Sequence, residues 1–169
     1  MTPQAAFDQY HQAVYSFLYR LTRRPDVAED ITQECFLALI CAPQRFDPTR
    51  GTMKTYLFSI ARNLALKQYR DSGGEDPLEG SEPMAAIDPR ASLDVASAVS
   101  SAVAELPALQ QEALILFEYE GVTLEEIAKI VDADVGTVKS RLHRARERLR
   151  RVLAAYRKRG NPHGTVGTR

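Results

Sequence analysis

Cysteine and histidine are scarce in this 169-residue chain, with two of the first and three of the second. Cys35 and Cys41 lie close together in one helical pattern and form no C-x-x-C pair, so no disulfide framework is expected. Cys35 follows Ile31 and precedes Leu39 at four-residue steps, which marks it as a buried apolar side chain. His11, His143 and His163 are scattered, and no metal site is expected. No apolar run reaches the roughly 18 residues that a membrane span needs. The start, MTPQAAFDQYHQAVYSF, lacks a basic segment, a hydrophobic stretch and a cleavage site. It is no secretory signal, and the expected location is cytoplasmic. Strand-like alternation is missing too, because Ile and Val follow the helical period throughout. With no P-loop, nucleophile elbow or metal cluster, neither an enzyme nor a cofactor-binding protein is expected.

What is present is ordinary in bulk and unusual in arrangement. The hydrophobic share of 44% and the charged share of 26% are those of a soluble globular chain, long enough for one domain or two small ones. The net charge of zero conceals segregation. Residues 72–104 hold six acids against one base, whereas residues 137–159 hold ten bases against one acid, Glu147. Such asymmetry points to a polyanionic partner at the C-terminal end.

The periodicity predicts an all-α fold of two small helical domains. In the first, over residues 5–71, Phe7, Tyr10, Val14, Phe17, Leu18 and Leu21 form one face, and RRPD ends that helix. A second helix from near Asp26 carries Val27, Ile31, Cys35, Phe36 and Leu39. FDPTRG is a loop, and a third helix from near Thr52 faces inward with Tyr56, Leu57, Ile60, Leu64 and Ala61. Residues 72–98 form an acidic, Pro- and Gly-containing linker expected to be mobile, with helical order returning between Ser92 and Leu106. The second domain spans 99–159. Its first helix has Pro107 in the opening turn and stops at Gly121. Thr123 and Glu126 form a capping box, and Asp134 is the candidate N-cap of the last helix. Residues 160–169 look disordered.

Two helices joined by a tight turn, the second of them basic, make a helix-turn-helix. Val138, Leu142, Leu149 and Val152 or Leu153 form the docking stripe, while Lys139, Arg141, Arg144 and Arg148 project from other faces. Gly136, Thr137 and Ser140 keep the helix start small enough for close backbone approach. Its dipole and hydroxyls suit phosphate or base edges. The bland alternative is a solvated basic helix or a coiled-coil arm. Such a helix would balance its Arg with Glu, and a coiled coil needs several heptads.

EEIAKIVDADVGTVKSRLHRARERLR closely resembles region 4 of bacterial extracytoplasmic-function (ECF) sigma factors, in which V-G-T-V-K-S-R-L-x-R-A-R is a strong signature. AEDITQECFLALI followed by FDPTRGTMKTYLFSIARNLALKQYR is similar to region 2 of the same family. The resemblance covers about three quarters of the chain. It implies a sigma factor that binds core RNA polymerase, through the β′ clamp helices and the β flap, and directs it to promoter DNA. A stand-alone helix-turn-helix regulator is the alternative. An anti-sigma factor is the further partner implied, and no membrane insertion is.

By the same resemblance, Asp30, Gln33 and Glu34 match polymerase-binding positions, although acids at a helix start also favour the dipole by themselves. The minus-ten recognition and melting positions are Arg50, Met53, Lys54, Tyr56, Arg62, Asn63, Lys67 and Arg70, with Phe46 beside them. Asn63 matches a position that holds a flipped base. Tyr56, which stands where the family often has Trp, is either core or a stacking platform, and Met53 and Phe46 are equally open. The minus-35 positions are Gly136, Thr137, Lys139, Ser140, Arg141, His143, Arg144 and Arg148. Two departures stand out. Phe117 occupies a place where many members carry Arg, and Asp134 replaces the usual proline before VGTVKSR. An acid there repels phosphate, so Asp134→Pro is expected to raise promoter affinity. The acidic linker either mimics RNA or simply keeps the chain soluble.

Overall fold

The computed structural model describes residues 1–79 and 95–159, and no strand occurs among them. The expected mobility over residues 80–94 and the expected disorder of 160–169 lie outside the described residues.

Helix α1, Pro3–Thr22, starts where Thr2 Oγ1 accepts the Ala5 N–H at 3.1 Å. It ends at Arg23, whose left-handed φ of 57° lets its own N–H reach the Tyr19 carbonyl. Val14, Phe17 and Leu18 are buried as the periodicity predicts, and Ala6 joins them. Phe7 does not. It is 40% exposed, lying beside the core with its edge on Phe36 and its face stacked on His11, which is thereby half-buried.

Helix α2, Pro25–Cys41, buries Val27, Ile31, Cys35, Phe36 and Leu39. Burial pushes the Cys35 thiol up to about 12, so it behaves as an inert apolar group, while Cys41 is exposed. A 3₁₀ turn, Pro43–Arg45, opens the loop that follows.

Helix α3, Met53–Asp71, is capped by Thr52, whose hydroxyl accepts the Thr55 N–H. Leu57 and Ala61 are buried as expected, but Tyr56, Ile60 and Leu64 are only partly so. The residue missed is Phe58, fully buried and packed edge-on against Phe17 at 5.1 Å. The physical reason is that α3 is packed on more than one side, against α1 and α2 and also against a helix of the second group. A helix gripped in this way buries a wider arc than a single stripe.

In the second group, α4 covers Val95–Ala104 and α5 covers Ala108–Leu114. Pro107 is the N-cap of α5, one step outside the expected first turn. The chain then makes a π-helical turn, Ile115–Tyr119, closed by Glu120 N–H donating to the Ile115 carbonyl, and stops at Gly121 with φ 64°. Helix α6, Leu124–Val131, has the capping box in full: Thr123 and Glu126 each satisfy the other's backbone N–H. Asp132, at φ 52°, ends it. Helix α7, Val135–Arg159, begins at Asp134, whose Oδ1 accepts the Thr137 N–H at 2.6 Å. Val138, Leu142 and Ala145 are buried against α5 and α6, Leu149 and Leu153 are half-buried, and Val152 is exposed.

The two groups touch. Helix α3 lies along α6, and the apolar side chains of both groups join in one buried cluster.

Candidate nucleic-acid interface

The short α6, the turn at Asp132–Asp134 and the start of α7 make the expected helix-turn-helix. Gly136, Lys139, Ser140, His143, Arg144 and Arg148 are exposed along α7, with Thr137 half-buried at its start. Asp134 is exposed beside them. The Thr137 backbone N–H, then the Thr137 side chain, hold its carboxyl below the usual range. It is therefore both the cap of α7 and a fixed negative charge at its DNA-facing end.

Arg141 departs from the expectation. It does not project from an outer face but is 8% exposed, and its Nε donates to Glu79 Oε1 at 2.7 Å. The same carboxylate lies 3.7 Å from Arg144. The position follows from spacing, because Arg141 adjoins Leu142 and stands three residues after Val138, at the margin of the packed stripe. Phe117, the aromatic at the family's Arg position, lies under the Arg146 guanidinium at 5.4 Å, and Arg146 also pairs with Glu118 at 2.8 Å. A cation thus stands beside the place where the arginine is missing, supplied from α7.

The residues expected to handle the minus-ten region are dispersed over several environments. Arg50, Asn63 and Lys67 are exposed, and Arg70 is exposed but paired with Asp76. Met53 is 8% exposed, which removes it from stacking and places it in the core. Tyr56 and Phe46 are half-buried with their rings 5.4 Å apart. Together with Arg45, Arg50, Thr55 and Lys129 they line a cleft of about 660 Å³.

Lys54 and Arg62 point into the second group. Lys54 Nζ donates to the Glu120 carbonyl at 2.6 Å. Arg62 makes a two-pronged contact with Glu112, Nε to Oε2 at 2.8 Å and Nη2 to Oε1 at 3.0 Å, with both side chains nearly buried. Nearby, Glu126 Oε1 accepts the Thr55 hydroxyl at 3.2 Å. These contacts join residues 50 or more apart in sequence, and no local pattern announces them.

On α2, Asp30, Gln33 and Glu34 are all exposed on one side. Leu37 and Ile40 share that side and are each 57% exposed. The sequence carried a signal for them, since both fall off the Val27–Ile31–Cys35–Leu39 stripe, at positions where a solvated helix would be polar.

The comparisons with known proteins fall on these same elements. Residues 6–75 match the family described as Sigma-70 region 2, and residues 96–149 match Sigma-70, region 4. The ECF RNA polymerase sigma factor SigW of Bacillus subtilis is 30% identical over 161 residues, which cover 86% of each protein. The chain belongs to the ECF sigma factors. SigE of Mycolicibacterium smegmatis, another member, is 34% identical over 163 residues, and the match spans 88% of this chain but 60% of SigE. Among solved structures, the sigma factor RpoE bound to the anti-sigma factor NepR, from Bartonella quintana, is 28% identical. It superposes with a TM-score of 0.71 over 89% of this chain and 96% of that one. CnrH, solved with the cytosolic domain of CnrY, shares the fold at 24% identity and a TM-score of 0.69. An alternative sigma factor is the function that these matches support. The presence of region 2 beside region 4 disfavours a stand-alone helix-turn-helix regulator. No helix among the described residues is long and apolar enough to cross a membrane.

Proposed function

We propose that this sigma factor, acting in the cytoplasm, binds core RNA polymerase through the outer side of α2 and divides promoter recognition between α3 and α7. Region 2, residues 5–71, would bind the polymerase and open the minus-ten region. Region 4, residues 99–159, would take the minus-35 element, with residues 72–98 connecting them. The carrying observation is the exposed side of α2, where Leu37 and Ile40 stand uncovered among Asp30, Gln33 and Glu34. A soluble helix that leaves two large aliphatic side chains open within a rim of acceptors has the make-up of a protein-docking patch. It suits a helical, basic surface such as the β′ clamp helices.

On α7, Lys139, Arg144 and Arg148 supply phosphate neutralisation, and the small residues at its start allow close approach to base edges. On α3, Asn63 offers an amide edge to an unpaired base, and Tyr56 and Phe46 offer aromatic surface next to it. The sigma factor brings no catalytic residue and no cofactor, since the polymerase does the chemistry. An anti-sigma factor is the natural regulatory partner, as in the RpoE–NepR structure.

The test is co-purification with core polymerase followed by run-off transcription. The wild-type chain should be retained and should stimulate transcripts that core enzyme alone does not make. Leu37→Asp with Ile40→Asp should abolish retention while leaving helix content intact. Tight binding to duplex promoter DNA without any stimulation of core enzyme would defeat the proposal.

A further inference from the structure

The cations that region 2 would present to the minus-ten strand are already in use. Arg62 is held by both oxygens of Glu112, Lys54 by the carbonyl of Glu120, and the Thr55 hydroxyl by Glu126. Glu120 also faces Arg20 of α1, whose guanidinium stacks 4.3 Å over Tyr119. Lys129 of α6 reaches back to the Arg50 carbonyl at 3.0 Å. All of these contacts cross from region 2 to region 4.

We propose that the acidic side of region 4, made of Glu112, Glu120 and Glu126, is an internal partner of the DNA-facing side of α3. The free chain then rests in a closed form that the minus-ten strand must displace. This rests on the assignment of Arg62 and Lys54 to minus-ten binding given above.

The chemistry of exchange is favourable. A guanidinium that grips a carboxylate with two parallel hydrogen bonds offers the same fork to a phosphate. The closed form leaves no exposed binding mode for Arg62, because both partners of the ion pair are nearly covered. Opening exposes both charges to water, so the pair is held closed only while the carboxylate is there to match the cation. Removing that charge strands a nearly buried Arg62, and the easiest relief is to swing region 4 away. Because the contacts lie between two groups with separate helices, opening need not unfold either one.

The experiment uses the full chain labelled for Förster transfer at the exposed Cys41 and at an introduced Ala154→Cys on α7. Cys35 stays unlabelled because it is buried. Glu112→Gln should lower transfer without added DNA and leave helical circular dichroism unchanged. It should also bind a fluorescein-labelled random single-stranded 12-mer about tenfold more tightly, as expected when a binding-competent form rises from a minor to a major share. In the otherwise unaltered chain, saturating 12-mer alone should lower transfer. Exchanging the charges, Arg62→Glu with Glu112→Arg, should restore high transfer without restoring strand binding. Transfer that is unmoved both by Glu112→Gln and by the 12-mer overturns the proposal, as does opening with no gain in strand affinity. Loss of run-off transcription by the wild-type chain would instead strike the function proposed above, so the two failures are distinguishable.

Discussion

Glu79 reaches from the connector onto the reading helix and accepts a 2.7 Å hydrogen bond from the nearly buried Arg141, with Arg144 3.7 Å from its other oxygen. A carboxylate therefore occupies a place on α7 where a phosphate could stand. Its removal should free charge for DNA. Glu79→Gln is expected to strengthen binding of the whole chain to duplex DNA about two- to fivefold at physiological salt, the range that a part-exposed charge pair produces. The slope of log affinity against log salt should steepen by about one unit. Anisotropy titrations at several salt concentrations check both, and an unchanged slope would show that Arg141 is not recruited.

Asp134 has two roles that a substitution can separate. Pro at this position removes the charge together with the acceptor for the Thr137 N–H. Asn keeps an acceptor and removes only the charge. Asp134→Asn should therefore bind duplex DNA more tightly with little change in melting temperature, whereas Asp134→Ala should melt earlier. The carboxyl is held low by the Thr137 contacts, so its cap is present above the ordinary aspartate range and is lost as pH falls through its lowered value.

Two glutamates of region 4 should respond to acid with opposite signs. Burial pushes Glu126 upward, but hydrogen bonds from the Thr123 backbone and from the Thr123, Thr55 and Thr52 hydroxyls outweigh it and hold the carboxyl low. Its contribution exists above the unfolded value and disappears as pH falls through the folded one. Glu120 is raised by burial, with Arg20 and Lys54 pulling it only part of the way back. The folded state therefore favours its protonated form, and its penalty is relieved on acidification. Thermal melts at neutral pH should show Glu126→Gln less stable than wild type and Glu120→Gln more stable. Both differences should shrink towards about pH 4, where carboxyls begin to protonate in any state.

Phe58 is a cleaner test of the core. It has no exposed surface, and its ring meets Phe17 edge-to-face. Phe58→Ala should cost about 3–5 kcal/mol in chemical denaturation. The half-buried Ile60 should tolerate truncation to Val at about 0.5–1.5 kcal/mol or less. Equal costs at both positions would contradict the placement of α3 described above.

Much of the fold was legible because its signals are local. The capping box at Thr123 and Glu126, the Asp134 cap, the stop at Gly121 and the stripe from Val27 to Leu39 each depend on residues a few positions apart. The reading failed where a side chain is decided by a distant partner. Phe58 lies off the expected stripe and is buried because α3 is covered on a second side. Met53 and Arg141 resemble exposed functional residues in sequence, yet packing takes one into the core and Glu79 covers the other. The exposed Leu37 and Ile40 could have been noticed as apolar residues off the stripe, and they are the additions to the polymerase-binding set that the structure supplies. The assigned DNA-facing positions on α7 needed least revision, since apart from Arg141 their exposure follows directly from helical phase.

The π-helical turn at Ile115–Tyr119 has a geometric consequence for the acidic side of region 4. Along an uninterrupted α-helix, Glu112 and Glu120, eight residues apart, would overshoot two full turns by about 80°. A turn closed by an i to i+5 bond absorbs about one extra residue, which cancels the overshoot to within about 20°. The two glutamates are thereby brought almost into line, one above the other, facing Arg62 and the Arg20–Lys54 pair. Deleting a single residue from this turn would leave every helix intact and rotate one of the two carboxylates out of register with its cation.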